Sequence, residues 1–312
     1  ALFADLDRLA RRFFAQSDQT KAEIAMAMAG PAWRGWFPVG AELTSGRPDH
    51  KEGIYFGTEL PNDDPRVRAG TPLHGPNLFP DEPAGLGTAV LAYLDAATRV
   101  GHAIMSGLAI ALGLPRGWFA DDLTADPTVL FRIFHYPPEV EAPEGGPHLT
   151  TPRAPAWGVA EHTDYGLLTL LAQDDRGGLE VRVDGRWLPV PAEPDVLVCN
   201  LGDMLEALTA GRYRSTPHRV RNTSGAGRLS FPLFFDPGWD ARVRPLPLDS
   251  LTAPSDPGDP HRPTVSSDSV ATPSIQQRWD RTDPAAWTGT YGEYLTAKVS
   301  RVFPELFASL EG

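Results

Sequence analysis

The segment His162-Thr163-Asp164-Tyr165-Gly166-Leu167-Leu168-Thr169-Leu170-Leu171 decides how the rest of the chain is read. Its second half is a short apolar run of strand length, so Leu167 to Gln173 is expected as a buried β-strand. Its first half carries an imidazole and a carboxylate two positions apart. In extended backbone, residues i and i+2 point to the same side, so both groups can converge on one ion. A second imidazole, His218, heads a later predicted strand. Two His and one carboxylate on one face of an octahedron leave three positions open, which suits iron(II) and oxygen chemistry. Taken alone, H-x-D is a weak signal. His162 reads equally as a surface loop histidine, and His218 as a core histidine bonded to backbone.

Outward from this segment the texture is of short strands. Val129 to Tyr136, Leu179 to Val183, Arg186 to Val190, Val196 to Asn200, His218 to Asn222 and Arg228 to Phe235 are expected strands. Asp184-Gly185 predicts a type I′ hairpin turn. Strands at this spacing predict a mainly β fold with flanking helices, its core a double-stranded β-helix or jelly roll. Leu2, Leu6, Leu9 and Phe13 share a helical face near the start. A long helix is expected over Gly85 to Leu112, stopped by Gly113 and Pro115, and a last one over Tyr291 to Phe303. The division expected is one domain over 1–312. It has a helical N-terminal region to about 125, a jelly-roll core over about 126–240, and a C-terminal loop and helix over about 241–312. The Pro-rich stretch from Pro254 to Pro273 is expected as a surface loop or lid.

Arg228-Leu229-Ser230 lies on the strand after His218, again with i and i+2 on one face. A guanidinium presents a planar fork matched to a carboxylate, and the hydroxyl adds a donor. A buried cation needs an anion, and a dicarboxylate whose other end chelates the metal would be one. An exposed strand arginine is the plainer reading of R-x-S by itself.

Composition narrows the classes. The chain has 312 residues, 41% of them hydrophobic, with 30 Gly and 32 Pro, which suits a loop-rich fold with a full core. A net charge of −12 with no basic run argues against nucleic-acid partners. No apolar run reaches the roughly 18 residues of a membrane span. No signal peptide is visible, and the single cysteine, Cys199, fits a reducing, cytoplasmic setting. Nothing in the composition specifies an oligomeric state.

Together these residues are similar, in order, to a known family. Val129 to Pro237 resembles the iron(II)/2-oxoglutarate-dependent oxygenases of the isopenicillin N synthase-like family. The matching motifs are Tyr136-Pro137-Pro138, the stretch from His162 to Leu171, Gly178-Leu179-Glu180-Val181, Gly185-Arg186-Trp187, Asn200-Leu201-Gly202-Asp203, Ser215-Thr216-Pro217-His218-Arg219-Val220 and Arg228-Leu229-Ser230-Phe231-Pro232. Upstream, Gly53-Ile54-Tyr55-Phe56-Gly57 and Gly75-Pro76-Asn77 match as well.

The resemblance implies Fe(II) on His162, Asp164 and His218, with 2-oxoglutarate and O2 as co-substrates. Arg228 and Ser230 would hold the distal carboxylate of 2-oxoglutarate, with Tyr136 assisting. The implied reaction is oxidation of a C–H bond in a small molecule, usually hydroxylation, with release of succinate and CO2. Asn200 and Asp203 match structural positions, and Asp203 with Glu206 is expected to cap a short helix. Arg182, Phe234, His148 and Trp157 are the expected substrate contacts. Two departures stand out. The family often has a polar residue where Phe134 stands, and Ala1-Leu2-Phe3 looks like a trimmed N-terminus. The competing expectations are a 2-oxoglutarate-independent iron oxidase of the same family, which cyclises or desaturates a carboxylate-bearing substrate, and, more remotely, a non-catalytic or zinc-loaded jelly-roll binding protein.

Overall fold

The computed structural model describes residues 2–44, 46–138, 157–248 and 284–303. Its helices are α1 Leu2–Phe14, α2 Asp18–Lys21, α3 Pro65–Arg68, α4 Leu86–Ala111, α5 Trp118–Asp121, α6 Asp203–Leu208 and α7 Tyr291–Val299. The strands are β1 Gly35–Phe37, β2 Leu43–Thr44, β3 Arg47–Pro48, β4 Glu52–Gly57, β5 Thr128–Tyr136, β6 Val159–His162, β7 Leu168–Gln173, β8 Leu179–Val183, β9 Arg186–Pro189, β10 Val198–Leu201, β11 His218–Val220 and β12 Arg228–Asp236.

A six-stranded sheet runs in the order β1-β4-β5-β12-β7-β10, and a four-stranded sheet in the order β6-β11-β8-β9. All their pairings are antiparallel. This is the jelly-roll core with flanking helices that the strand pattern predicts. The long β5–β12 pairing sets its register, with Arg228 opposite Tyr136 and Ser230 opposite Phe134.

Alternation along β5 divides the two faces of the large sheet. Leu130, Arg132, Phe134 and Tyr136 line an internal cavity. Phe131 and Ile133 are fully buried on the other side, where the Tyr93 ring of α4 lies 5.0 Å from that of Phe131. Helix α4 buries Leu86, Val90, Tyr93, Leu94 and Met105. Each such side chain contributes about 1.5–3 kcal/mol, so the helix is fastened by its apolar stripe and not by its caps. Gly85 and Leu112 flank it with no side-chain cap.

The expected strands are recovered with ends shifted by one or two residues. Val196 and Leu197 precede β10, and β11 stops at Val220. Asp184 and Gly185 both take positive φ, as a type I′ turn requires. The C-terminal helix ends at Val299, short of Phe303. The region read as helical to about residue 125 also supplies β1 and β4 to the large sheet, and β4 pairs with β5 from Glu52 to Gly57. Pro254 to Pro273 lies outside the described residues. Among those described, no helix is long and apolar enough to cross a membrane.

Candidate metal and co-substrate site

His162 ends β6 and His218 begins β11, and the two are direct partners in the antiparallel register. That pairing brings together two imidazoles far apart in the chain, with ring centroids 4.2 Å apart. Asp164 follows β6 at the i+2 position. Its Oδ1 lies 3.7 Å from His162 Nε2 and 3.8 Å from His218 Nε2. One donor atom from each of the three residues lies within 4.8 Å of the others, close enough to share one ion.

Hydrogen bonds aim each donor. His162 Nδ1 is 2.8 Å from the Ala160 carbonyl, and His218 Nδ1 is 3.0 Å from that of Thr216. A carbonyl only accepts, so Nδ1 carries the proton on both rings and Nε2 keeps a lone pair for a metal. Asp164 Oδ2 accepts from Thr169 Oγ1 and from Asn200 Nδ2, each at 2.6 Å, which leaves Oδ1 facing the imidazoles.

Electrostatics favour the same ligand state. Burial, and then the neighbouring His218, push the His162 imidazole down to about 4, so it is neutral near pH 7. Burial opposes ionisation of Asp164. The two imidazoles and the bonds from Thr169 and Asn200 outweigh it and hold this carboxyl below the usual range. Two imidazoles and one carboxylate form a donor set suited to iron.

The backbone around Asp164 is held by close packing that only glycine permits. A Cβ at Gly202 would sit 2.2 Å from the Gly166 carbonyl oxygen, and one at Gly166 would sit 1.4 Å from Asp236 Oδ1. This approach lets the first turn of α6 reach back, where Asp203 N–H donates to the Asp164 carbonyl at 2.7 Å. Gly202 occupies the N-cap position and α6 has no side-chain cap, which corrects the expected capping role of Asp203 with Glu206. Glu206 instead accepts from the Ser215 N–H at 2.8 Å, fixing the approach to His218.

The triad opens into a cavity of about 1040 Å³ between the sheets, mouth included. Arg228 lies on the same wall and is 0% exposed. Its Nε donates to the Gly177 carbonyl and its Nη2 to Gln173 Oε1 at 3.1 Å. Nη1 is buried without an acceptor, and no carboxylate pairs with Arg228 among the described residues. Ser230 Oγ and Tyr136 Oη stand 3.2 Å apart beside it, and the guanidinium lies 4.8 Å from the Tyr136 ring centroid. An unpaired buried cation is costly, and removing the partner of such a charge typically costs about 3–5 kcal/mol. An arriving carboxylate would remove that penalty, so the cradle fits one end of a dicarboxylate.

The comparisons with known proteins agree with this chemistry. Residues 127–237 match the model of the 2OG-Fe(II) oxygenase superfamily. Residues 1–82 match one described as the N-terminal part of non-haem dioxygenases in morphine synthesis. A Dictyostelium discoideum protein named "probable iron/ascorbate oxidoreductase" is 42% identical, over 96% of this chain and 82% of its own. The chain belongs to the 2OG-Fe(II) oxygenase superfamily. It is an Fe(II)/2-oxoglutarate-dependent oxidoreductase, and its cofactor set is Fe(II), 2-oxoglutarate and O2. A 1-aminocyclopropane-1-carboxylate oxidase of Dictyostelium mucoroides is 31% identical, over 97% of this chain and 84% of that one. Among solved structures, a 2OG-Fe(II) oxygenase family protein of Caulobacter crescentus superposes with a TM-score of 0.69. It is 27% identical and covers 96% of this chain and 85% of that one.

The expected substrate contacts of this oxygenase fare unevenly. Phe234 lines the cavity. Arg182 does not: it is paired with Glu161 at 2.6 Å. Trp157 does not either, its ring lying 4.3 Å from the Arg219 guanidinium. His148 lies outside the described residues. Phe134, at the position noted as a departure, faces the cavity with Lys51 Nζ 4.8 Å from its ring centroid. A cation from β4's neighbourhood therefore occupies the space around that ring. Sequence reasoning missed Glu42, Lys51 and Arg132, which also line the cavity, and Thr169 as a partner of Asp164. Arg132 was visible as the one charge on β5 sharing the parity of Tyr136.

Proposed function

We propose that this oxygenase holds Fe(II) on His162, Asp164 and His218, seats 2-oxoglutarate against Arg228, Ser230 and Tyr136, and hydroxylates a C–H bond of a small molecule. The observation that carries the reading is the buried Nη1 of Arg228, an orphaned donor in the same cavity as the triad. When bound, iron and 2-oxoglutarate supply the oxidising power: O2 is consumed, 2-oxoglutarate becomes succinate and CO2, and one oxygen atom enters the substrate. The chain's own task is positional. The two Nδ1–H bonds keep Nε2 of each imidazole available. Thr169 and Asn200 keep Asp164 Oδ1 directed at the shared point. Arg228 neutralises the distal carboxylate and fixes which way the co-substrate lies. Apolar lining from Leu130, Phe134, Leu171, Val220 and Phe234 keeps the cavity dry and leaves a C–H bond as the reactive group presented. All of these groups would work as a single domain, since β1 and β4 from the N-terminal region share a sheet with the core strands.

The likeness to the 1-aminocyclopropane-1-carboxylate oxidase supports a second reading, in which Arg228 and Ser230 grip a carboxylate of the substrate and no 2-oxo acid is needed. One experiment separates the two. Succinate release is measured against a metabolite panel under air, with iron(II) and ascorbate, using thoroughly dialysed protein. The proposal expects product and succinate in equal amounts, and loss of both in His162→Ala and Asp164→Ala with the fold intact by circular dichroism. Turnover without any 2-oxo acid would overturn it in favour of the second reading.

A further inference from the structure

Arg132 is the second guanidinium on the cavity wall. It lies four residues before Tyr136 on β5, about 13 Å along the strand at roughly 3.3 Å per residue, and opposite Tyr55 of β4. Two rings clamp it, with centroids 4.1 Å away for Tyr55 and 4.6 Å for Phe234. Rings beside a guanidinium leave its edge, where the donors are, for a planar partner.

The acids nearby are otherwise engaged. Glu42 Oε1 is 3.7 Å from Arg132 Nη1, beyond hydrogen-bond reach. That oxygen already accepts from the Tyr55 hydroxyl at 2.7 Å. The Glu42 carboxylate also lies 3.0 Å from Lys51 Nζ, which bonds Asp49 as well. Asp236, further along the wall, accepts from the Tyr291 hydroxyl at 2.6 Å and the Leu167 N–H at 3.1 Å. Arg132 Nε is buried and has no acceptor among the described residues, and the side chain keeps 15% exposure. Glu42, Asp49, Lys51 and Tyr55 thus form a linked frame, in which Glu42 Oε2 has Lys51 Nζ at 3.0 Å as an ion-pair partner but no aligned hydrogen bond, and Arg132 stands at its edge with Nε unbonded.

We propose that Arg132 is the specificity-determining anchor for a carboxylate carried by the substrate. The inference rests on the reading above, in which the distal carboxylate of 2-oxoglutarate occupies Arg228. The two cations then divide the cavity, one end for co-substrate and the other for the acid group of the molecule to be oxidised. Apolar surface from Leu130, Phe134 and Phe234 lies between and beside them, so the preferred substrate joins one acid group to an aliphatic or aromatic body. A neutral analogue leaves a desolvated guanidinium unpaired, and sites of that kind discriminate strongly.

The test uses the full chain loaded with Fe(II) and 2-oxoglutarate. The probes are short aliphatic and aryl carboxylates and α-amino acids, each paired with its primary amide. Two readouts are taken: stimulated succinate release in air and, under argon, the shift each probe causes in the visible absorption band of the iron–2-oxoglutarate complex. Acids are expected to act on both, and their amides at least about a hundredfold more weakly. Arg132→Gln should lose the response to acids while still forming the band, and Arg132→Lys should recover only part of it. Amides matching acids, an Arg132→Gln protein responding like the wild type, or a wild type that forms the band yet answers to no acid would each overturn the role of Arg132. Should Arg132→Gln fail to fold, the comparison of acids with amides on the wild-type protein decides. Absence of the band in the wild type would instead overturn the assignment of Arg228.

Discussion

Replacing Asn200 by Ala removes one of two bonds that hold the non-ligating oxygen of Asp164. Both bonds are 2.6 Å long and end on a carboxylate, so each belongs to the charge-assisted class worth about 1.5–3 kcal/mol. Part of that is lost equally from the metal-free protein, where Asp164 also accepts it. What remains is orientation: with Thr169 alone, the carboxylate can swing and Oδ1 no longer waits at the point shared by the two Nε2 atoms. Substitutions of such supporting groups typically cost 10- to 100-fold in metal affinity, or about 1.4–2.7 kcal/mol. Asn200→Ala is therefore expected to weaken iron(II) binding by that factor, beyond a modest loss of thermal stability shared by the metal-free protein. Titration with iron(II) under argon, followed through the absorption band with 2-oxoglutarate, measures it. Thr169→Val should behave alike, and the double variant should lose more than the sum, because either bond alone still limits rotation. If both single variants bind iron within about twofold of wild type while Asp164→Ala binds none, the carboxylate is held by something else and the reasoning fails.

Arg228→Leu should raise the 2-oxoglutarate requirement by about ten- to 150-fold, the range expected for a charge-assisted pair. Replacing Arg228 removes a buried charge with an unbonded Nη1 but also its bonds to Gly177 and Gln173, so the deciding readout is the stabilisation by added 2-oxoglutarate, which should disappear; an unchanged requirement would refute the assignment. Asp236 gives a pH prediction. Burial pushes its carboxyl up to about 7, despite the bonds from Tyr291 and Leu167. The folded state then keeps a proton that the unfolded chain releases near 3.8, so this group's contribution to stability is present below about 4 and is lost as pH rises to about 7. The loss is of order 4 kcal/mol at most. Asp236→Asn should flatten that dependence, and urea titrations at pH 5 and pH 8 that show the same pH difference in both proteins would contradict it.

The legibility of these features follows the range of the forces behind them. Strand positions could be read because alternation and turn chemistry act locally: Asp184-Gly185 fixes a hairpin whatever lies elsewhere. The triad could be read because H-x-D obeys the two-residue period of extended backbone, and because His218 and Arg228-Leu229-Ser230 follow in a familiar order. The boundaries of β10 and β11 could not, since their ends are set by where the neighbouring strand stops pairing. β1 is a three-residue strand in a segment rich in Gly, Pro and Trp, and only its pairing with β4 makes it a strand. Adjacency to ligand-bearing strands points to Arg182 and Trp157 as contacts near the cavity mouth. Adjacency does not say which face a side chain takes, and Glu161 and Arg219 provide partners away from it.

Arg132 shows the same limit from the other side. A charged residue within a run such as Val129-Leu130-Phe131-Arg132-Ile133-Phe134 is explained as readily by an exposed strand edge as by an internal site. The two explanations differ in what lies across the sheet. β5 is a central strand, flanked by β4 and β12, so its alternate residues have no solvent to reach and must face either the helices or the cavity. Tyr136, of the same parity, is fixed at the cavity by its pairing with Arg228. Given those two facts, Arg132 has to be internal, and an internal guanidinium must be paired or used. Glu42 is too distant and too engaged to pair with it fully, which leaves use. The same step, applied one strand over, led from an orphaned Nη1 to a co-substrate carboxylate at Arg228. Two guanidiniums that the folded chain leaves under-satisfied in one cavity are the physical basis for two acids entering it.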